Sequence, residues 1–123
     1  MVAKARDGSG LPPAAAAVMS PWTDLALSGA TMETRAEADP LLTKDSLAAT
    51  ARLYLGAHDP RDPQASPLFG DLAGLPPVRI HVGEDEILLD DSLRYGERLQ
   101  STGGTVQVHT WGGMIHVFPS SFR

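Results

Sequence analysis

The sequence predicts an α/β fold in which about three parallel strands alternate with crossover helices. Three observations predict it. Apolar runs at residues 14–19, 78–82 and 105–111 have the length and flanking residues of strands. Stripes of apolar residues at helical spacing, bounded by capping residues, lie between them. An acidic cluster, Glu84, Asp85 and Glu86, directly follows the second run, and His116 follows the third. Open parallel sheets gather functional residues in the loops beyond the carboxyl ends of their strands.

The elements follow in order. Residues 1–13 read as a loop, because Gly8, Gly10, Pro12 and Pro13 break any helix. Residues 14–19 form a continuous apolar run ending at Ser20 and Pro21, which suits a buried strand. Residues 22–39 have no regular period. Thr43 or Asp45 then caps a helix whose stripe holds Leu47, Leu53, Tyr54 and Leu55, and Gly56 stops it. Residues 58–77 carry five prolines and read as a long ordered loop anchored by Leu68, Phe69, Leu72 and Leu75. After the strand at 78–82, Asp90 or Asp91 caps a helix with Leu89, Leu93 and Leu99 on its apolar face. Gly103 and Gly104 end it as a left-handed cap would. Residues 105–111 alternate and are rich in β-branched and aromatic side chains.

Composition narrows the function. At 123 residues with 42% hydrophobic and 20% charged residues, the chain fits one globular domain or a piece of one. A formal charge of −5 argues against a nucleic-acid partner. The chain has no cysteine, so it has no disulfide framework, no thiolate metal site and no thiol nucleophile. That is compatible with a cytoplasmic location. No run approaches the roughly 20 apolar residues that span a bilayer, and no signal-peptide core follows the basic start.

Neighbouring parallel strands would carry the acidic cluster and His116 to one edge of the sheet. An imidazole held by a carboxylate is a general base near neutral pH, and the carboxylate sets its tautomer. The bland alternatives are real. Carboxylates are common at helix starts, and a lone histidine in a glycine-rich loop is usually a surface residue. Their joint placement favours the functional reading. His58, His81 and His109 lack such a setting, and no histidine pair has zinc-site spacing.

Several motifs together resemble the hormone-sensitive-lipase-like branch of the α/β hydrolases. They are SPWTDL at 20–25, ASPL at 65–68 with DLAGLPP at 71–77, HVGEDEILLDDS at 81–92 and GMIHVF at 113–118. The resemblance runs from about Ala3 to Phe118. It implies residues 1–123 as the C-terminal portion of an α/β-hydrolase fold, with residues 22–56 contributing part of a cap. It also implies carboxylic-ester hydrolysis, as an esterase or lipase with a serine triad, on a small acyl ester or lactone, with no cofactor and no metal. The triad histidine carries over to His116. The family's acid pattern, an aspartate, proline, leucine, any residue and a second aspartate, falls without a gap on Glu86 and Asp90. Asp85 is the alternative acid if the loop is shifted by one. Asp24 is expected to brace its turn.

The chain departs from that pattern at the acid, where Glu86 stands for the usual aspartate, and more widely around the nucleophile. The 123 residues hold no G-x-S-x-G elbow, and Asp7 to Gly10 comes nearest without matching it. They also hold no HGGG-type oxyanion loop. The nucleophile is therefore assigned to no serine in this chain. The sequence reads as a fragment with the acid and base of a triad, inactive by itself. The rival expectation is a non-catalytic remnant or a partner-binding piece. Either way, an apolar first strand without a neighbour on one side predicts self-association through an open sheet edge.

Overall fold

The computed structural model describes residues 2–8 and 10–120. Three strands form one parallel sheet in the order β1 (Ala16–Met19), β2 (Val78–Gly83), β3 (Val106–Trp111). Ala16 pairs with Val78, which pairs with Val106; Val18 pairs with Ile80, which pairs with Val108. These six side chains share one face, because successive residues of a strand point to opposite sides. Leu99 and Tyr95 of helix α4 (Leu89–Ser101) cover that face, together with Leu68, Leu72 and Leu75. The leucines expected to anchor the long loop thus lie in the main core, around a short 3-10 turn at Pro67–Phe69.

The other rows hold Ala17, Arg79 and Gln107, then Met19, His81 and His109. This opposite face is open: Met19 is 48% and Trp111 45% exposed. Helix α4 approaches β3 closely because residue 96 is glycine. A Cβ there would lie 2.5 Å from Val108 Cγ2.

Helix α3 (Lys44–Leu55) begins at Thr43, whose hydroxyl accepts from Ser46 N–H while Ser46 returns the bond. That reciprocal capping box decides between Thr43 and Asp45 as the cap. The buried stripe of α3 is Leu47, Ala51 and Leu55. Leu53 and Tyr54 instead face solvent, at 88% and 71% exposure. The three buried residues are spaced by four, which keeps them on one side of a helix; positions 53 and 54 fall off that stripe.

Four further expectations are corrected. Residues 1–13 are not all loop: α1 (Val2–Asp7) is helical, and Val2 and Ala3 pack on the main core. Arg6 donates to the carbonyls of Asp71 and Ala73, fixing that turn of helix to the long loop. Residues 22–39 contain a short helix, α2 (Thr31–Thr34). Neither Asp90 nor Asp91 caps α4. Leu88 is its N-cap, and both aspartates lie in the first turn with their carboxylates engaged elsewhere. Leu93 is exposed, and Ser92, Tyr95 and Gly96 take the inner face beside Leu89 and Leu99. The helix ends as expected, with Gly103 at φ 82° and its N–H bonded to Gln100 O.

Candidate active site

Parallel pairing of β2 with β3 brings the two loops after them together. The loops are laced by backbone bonds from Glu84 N to Trp111 O and from Asp85 N to Met114 O. Gly83 permits this approach. A Cβ at residue 83 would sit 2.1 Å from Met114 O, so no larger residue fits without moving the histidine loop. Phe118, beyond the histidine, is buried, its ring 5.6 Å from that of Trp111.

Within this frame Glu86 Oε2 lies 3.0 Å from His116 Nδ1. Glu86 is fully buried, and the His116 side chain is 23% exposed. The other carboxylate oxygen, Oε1, accepts from Ser20 Oγ at 2.7 Å and from Gly83 N at 2.5 Å. A carboxylate only accepts, so Nδ1 carries the ring proton in this pair and Nε2 is left as an acceptor. Such a ring can take a proton from a hydroxyl.

The acidic trio divides by backbone geometry. Asp85 donates its N–H to Met114 O, which ties its backbone to the histidine loop. Glu84 faces Arg35 at 3.7 Å. Of the three, Glu86 is the one whose carboxylate meets His116.

Two residues outside the expected set hold the acid loop. Asp39 Oδ2 accepts from Ile87 N at 2.9 Å, and its Oδ1 accepts from Leu41 N and Leu42 N. Thr31 Oγ1 donates to Ile87 O at 2.8 Å and accepts from Asp90 N at 3.0 Å. Both come from residues 22–39, where the sequence has no period to single them out. Ser20 is marked in the sequence as the first residue after a strand and as the start of the SPWTDL motif.

Asp24 braces its turn. It accepts from Ala26 N, Ser28 N and Ser28 Oγ, and Arg94 lies 3.1 Å away. Burial works to raise its pKa, but the Ser28, Arg94 and Ala26 hydrogen bonds outweigh it, and the carboxyl ends below its ordinary value. Asp91 differs. It is fully buried, and Oδ2 accepts from Thr23 N and Asp24 N at 2.8 and 2.9 Å. Oδ1 has no partner among the described residues. Burial pushes Asp91 up to about 6, against those two bonds.

His81 and His109 stack on the open sheet face, 4.9 Å apart, and Trp111 Nε1 donates to His81 Nδ1. His58 is exposed. Ser66 is buried and fully used, accepting from Leu25 N and donating to Pro60 O. Ser9, in the stretch nearest to an elbow motif, lies outside the described residues. Among the described residues no group of three or more histidines and carboxylates could hold a metal ion. No helix among them is long and apolar enough to cross a membrane. Two depressions, of about 550 and 380 Å³, are lined by Leu68, Phe69 and Arg94, and by Leu25, Ala51 and Leu55, with their neighbours. Neither is lined by Glu86 or His116.

Comparison with known proteins agrees with this architecture. Residues 1–120 match the model of a family described by its alpha/beta hydrolase fold. An acetyl-hydrolase of Streptomyces hygroscopicus is 43% identical over 113 residues, 92% of this chain and 38% of the relative. An esterase of Acinetobacter venetianus is 39% identical over 109 residues, 88% of this chain and 36% of the relative. A crystal structure of EstE5 soaked with ethyl alcohol superposes with a TM-score of 0.90 at 42% identity, covering 94% of this chain and 39% of that one. An esterase from the bacterial hormone-sensitive lipase family gives 0.89 at 40% identity, covering 95% and 39%. The chain therefore spans under two-fifths of the length of these relatives. With the fold, the order of motifs and the family match in agreement, the chain belongs to the α/β hydrolase family, in its hormone-sensitive-lipase-like branch.

Proposed function

We propose that this chain supplies the acid and the general base of a carboxylic-ester hydrolase, an esterase or lipase with a serine triad. Glu86 fixes the Nδ1–H tautomer of His116. Nε2 of His116 takes the proton of a serine hydroxyl as its oxygen attacks the acyl carbonyl, then gives that proton to the departing alkoxide. Water hydrolyses the acyl-enzyme by the same route. The observation that carries the reading is a fully buried Glu86 with Oε2 3.0 Å from His116 Nδ1, at the carboxyl ends of adjacent parallel strands. Glu86 is preferred to Asp85 as the acid on that distance.

None of the serines here stands in a G-x-S-x-G context, and we assign the nucleophile to none of them. The 123-residue chain alone is then inactive on esters. Turnover of a short acyl ester by this chain, blocked by a serine-directed covalent inhibitor, would overturn that assignment. Small acyl esters or lactones are the proposed substrates. Residues 22–56 are proposed as part of a cap, since Leu25, Ala51 and Leu55 make a separate apolar cluster beside the smaller depression. A cysteine-free chain needs no oxidising compartment, and we place it in the cytoplasm.

The test is a chimera in which these residues replace the matching stretch of the Streptomyces acetyl-hydrolase. It should hydrolyse a short acyl ester, and His116→Ala should lower its kcat by about a thousandfold or more. A chimera equally active with alanine at 116 would remove His116 from the chemistry.

A further inference from the structure

We propose that Ser20 is a positioning residue for the Glu86–His116 pair, an inference that rests on reading those two residues as acid and base. Ser20 directly follows β1, Glu86 lies in the loop after β2, and Val117 follows β3 by a few residues. One hydroxyl joins all three. Ser20 Oγ donates to Glu86 Oε1 at 2.7 Å and accepts from Val117 N at 3.0 Å. Ser20 is only 4% exposed, so water does not compete freely for either bond.

The backbone is bent to make this contact. Ser20 has φ 45° and Val117 has φ 53°. Both lie in the left-handed region, which side chains disfavour and β-branched ones most of all. Leu27 is the one other non-glycine residue with positive φ among the described residues. Backbone strain of this kind persists only where surrounding contacts fix it, and it clusters at functional sites.

The geometry also says what the hydroxyl does. His116 engages Oε2, and Ser20 engages the opposite oxygen. With Gly83 N it gives Oε1 two donors, which fixes the plane of the carboxylate so that Oε2 faces Nδ1. Without the hydroxyl, Oε1 keeps one donor and the Val117 N–H loses its acceptor. The carboxylate can then turn, and the histidine loop loses its tie to β1. His116 keeps its place in the chain but loses its fixed tautomer.

The experiment is 15N NMR of the histidine rings in this chain, at a pH above the ordinary histidine titration range. Five proteins are compared: wild type, Ser20→Ala, Ser20→Gly, Glu86→Gln and Thr31→Val. Glycine relieves the left-handed strain at 20 while still lacking the hydroxyl, so it serves if alanine impairs folding. Thr31→Val removes bonds to Ile87 and Asp90 beside the acid without touching Glu86. Wild type and Thr31→Val should show His116 as a single Nδ1–H tautomer with a downfield, exchange-protected Nδ1 proton. Ser20→Ala and Ser20→Gly should lose that proton signal, and their His116 nitrogens should move toward the tautomer mixture of exposed His58. Glu86→Gln should lose the signal as well. If the Ser20 variants keep the wild-type tautomer while Glu86→Gln loses it, the positioning role is wrong and the acid–base reading stands. If Glu86→Gln also keeps it, or wild type never shows it, the pairing itself fails and the inference fails with it.

Discussion

Asp91 makes stability depend on pH in an unusual direction. Its carboxylate is fully buried at the start of α4, with Oδ2 accepting two backbone N–H groups and Oδ1 accepting none among the described residues. Burial raises its pKa from an ordinary 3.8 to about 6; the charge of Asp24 adds to this, and the Thr23 and Asp24 bonds and Arg94 oppose it. The native state therefore binds the proton more tightly than the unfolded chain does. By linkage, the stabilising contribution of neutral Asp91 is fully present below pH 3.8 and is lost as pH rises toward about 6. At about 1.4 kcal/mol per tenfold, the difference is on the order of 3 kcal/mol. Asp24 acts oppositely: its pKa is lowered, and it contributes stability that disappears on acidification. A paired measurement separates them. Wild type and Asp91→Asn would be unfolded in urea at a series of pH values, followed by circular dichroism. Asparagine has the same shape and does not titrate. Relative to the variant, wild type should gain about 2–3 kcal/mol between neutral pH and about pH 4, most of it near pH 6 and below. Stability curves that stay parallel across that range would refute the burial argument.

Other outcomes follow from the same contacts. Gly83→Ala places a Cβ against Met114 O, so the histidine loop must shift; the Nδ1 proton signal of His116 should vanish even where circular dichroism shows the fold retained. Leu99→Ala, at a fully buried position against the sheet, should cost about 2–5 kcal/mol in urea unfolding; a change below about 1 kcal/mol would contradict the packing of α4 on the sheet. The outer side of β1 has no strand partner among the described residues, and Met19 and Trp111 lie half-exposed on the open face. The chain should therefore self-associate in sedimentation runs, and a monodisperse monomer with a sharp, high unfolding transition would count against this.

The parts of the fold that are legible in the sequence are those governed by short-range rules. Strand runs with β-branched residues, the Thr43 cap and the Gly103 terminator each depend on a few neighbouring residues. The α/β alternation then implies parallel pairing, which in turn puts Glu86 and His116 on neighbouring loops. What escapes depends on long-range partners. The apolar pattern turns Leu53, Tyr54 and Leu93 inward, because hydrophobicity alone does not say which side of a helix meets its neighbours. The true inner faces use Ala51, Ser92 and Gly96, small residues that count for little in a hydrophobic pattern but allow close approach. Asp90 and Asp91 read as caps because aspartate favours helix starts, yet their partners lie some sixty residues or more away in sequence, at Thr31, Thr23 and Asp24.

The same distinction explains the candidate site. The acidic cluster 84–86 and His116 sit where strands end, so a rule about sheets can find them; within the cluster, it is the family resemblance that points to Glu86, with Asp85 as the alternative. Ser20, Asp39 and Thr31 matter only through what they hold, and each holds a loop distant in sequence. Their hydrogen bonds converge on residues 86–90, from β1 on one side and from the segment around α2 on the other. The acid loop is thus clamped by side chains from two earlier stretches of chain, and the histidine loop closes on it from β3. The clamp has a physical reason. Glu86 must be buried to be held rigidly, and a buried carboxylate needs donors to offset its lost hydration. Ser20 and Gly83 supply those donors, and they leave one oxygen free for His116.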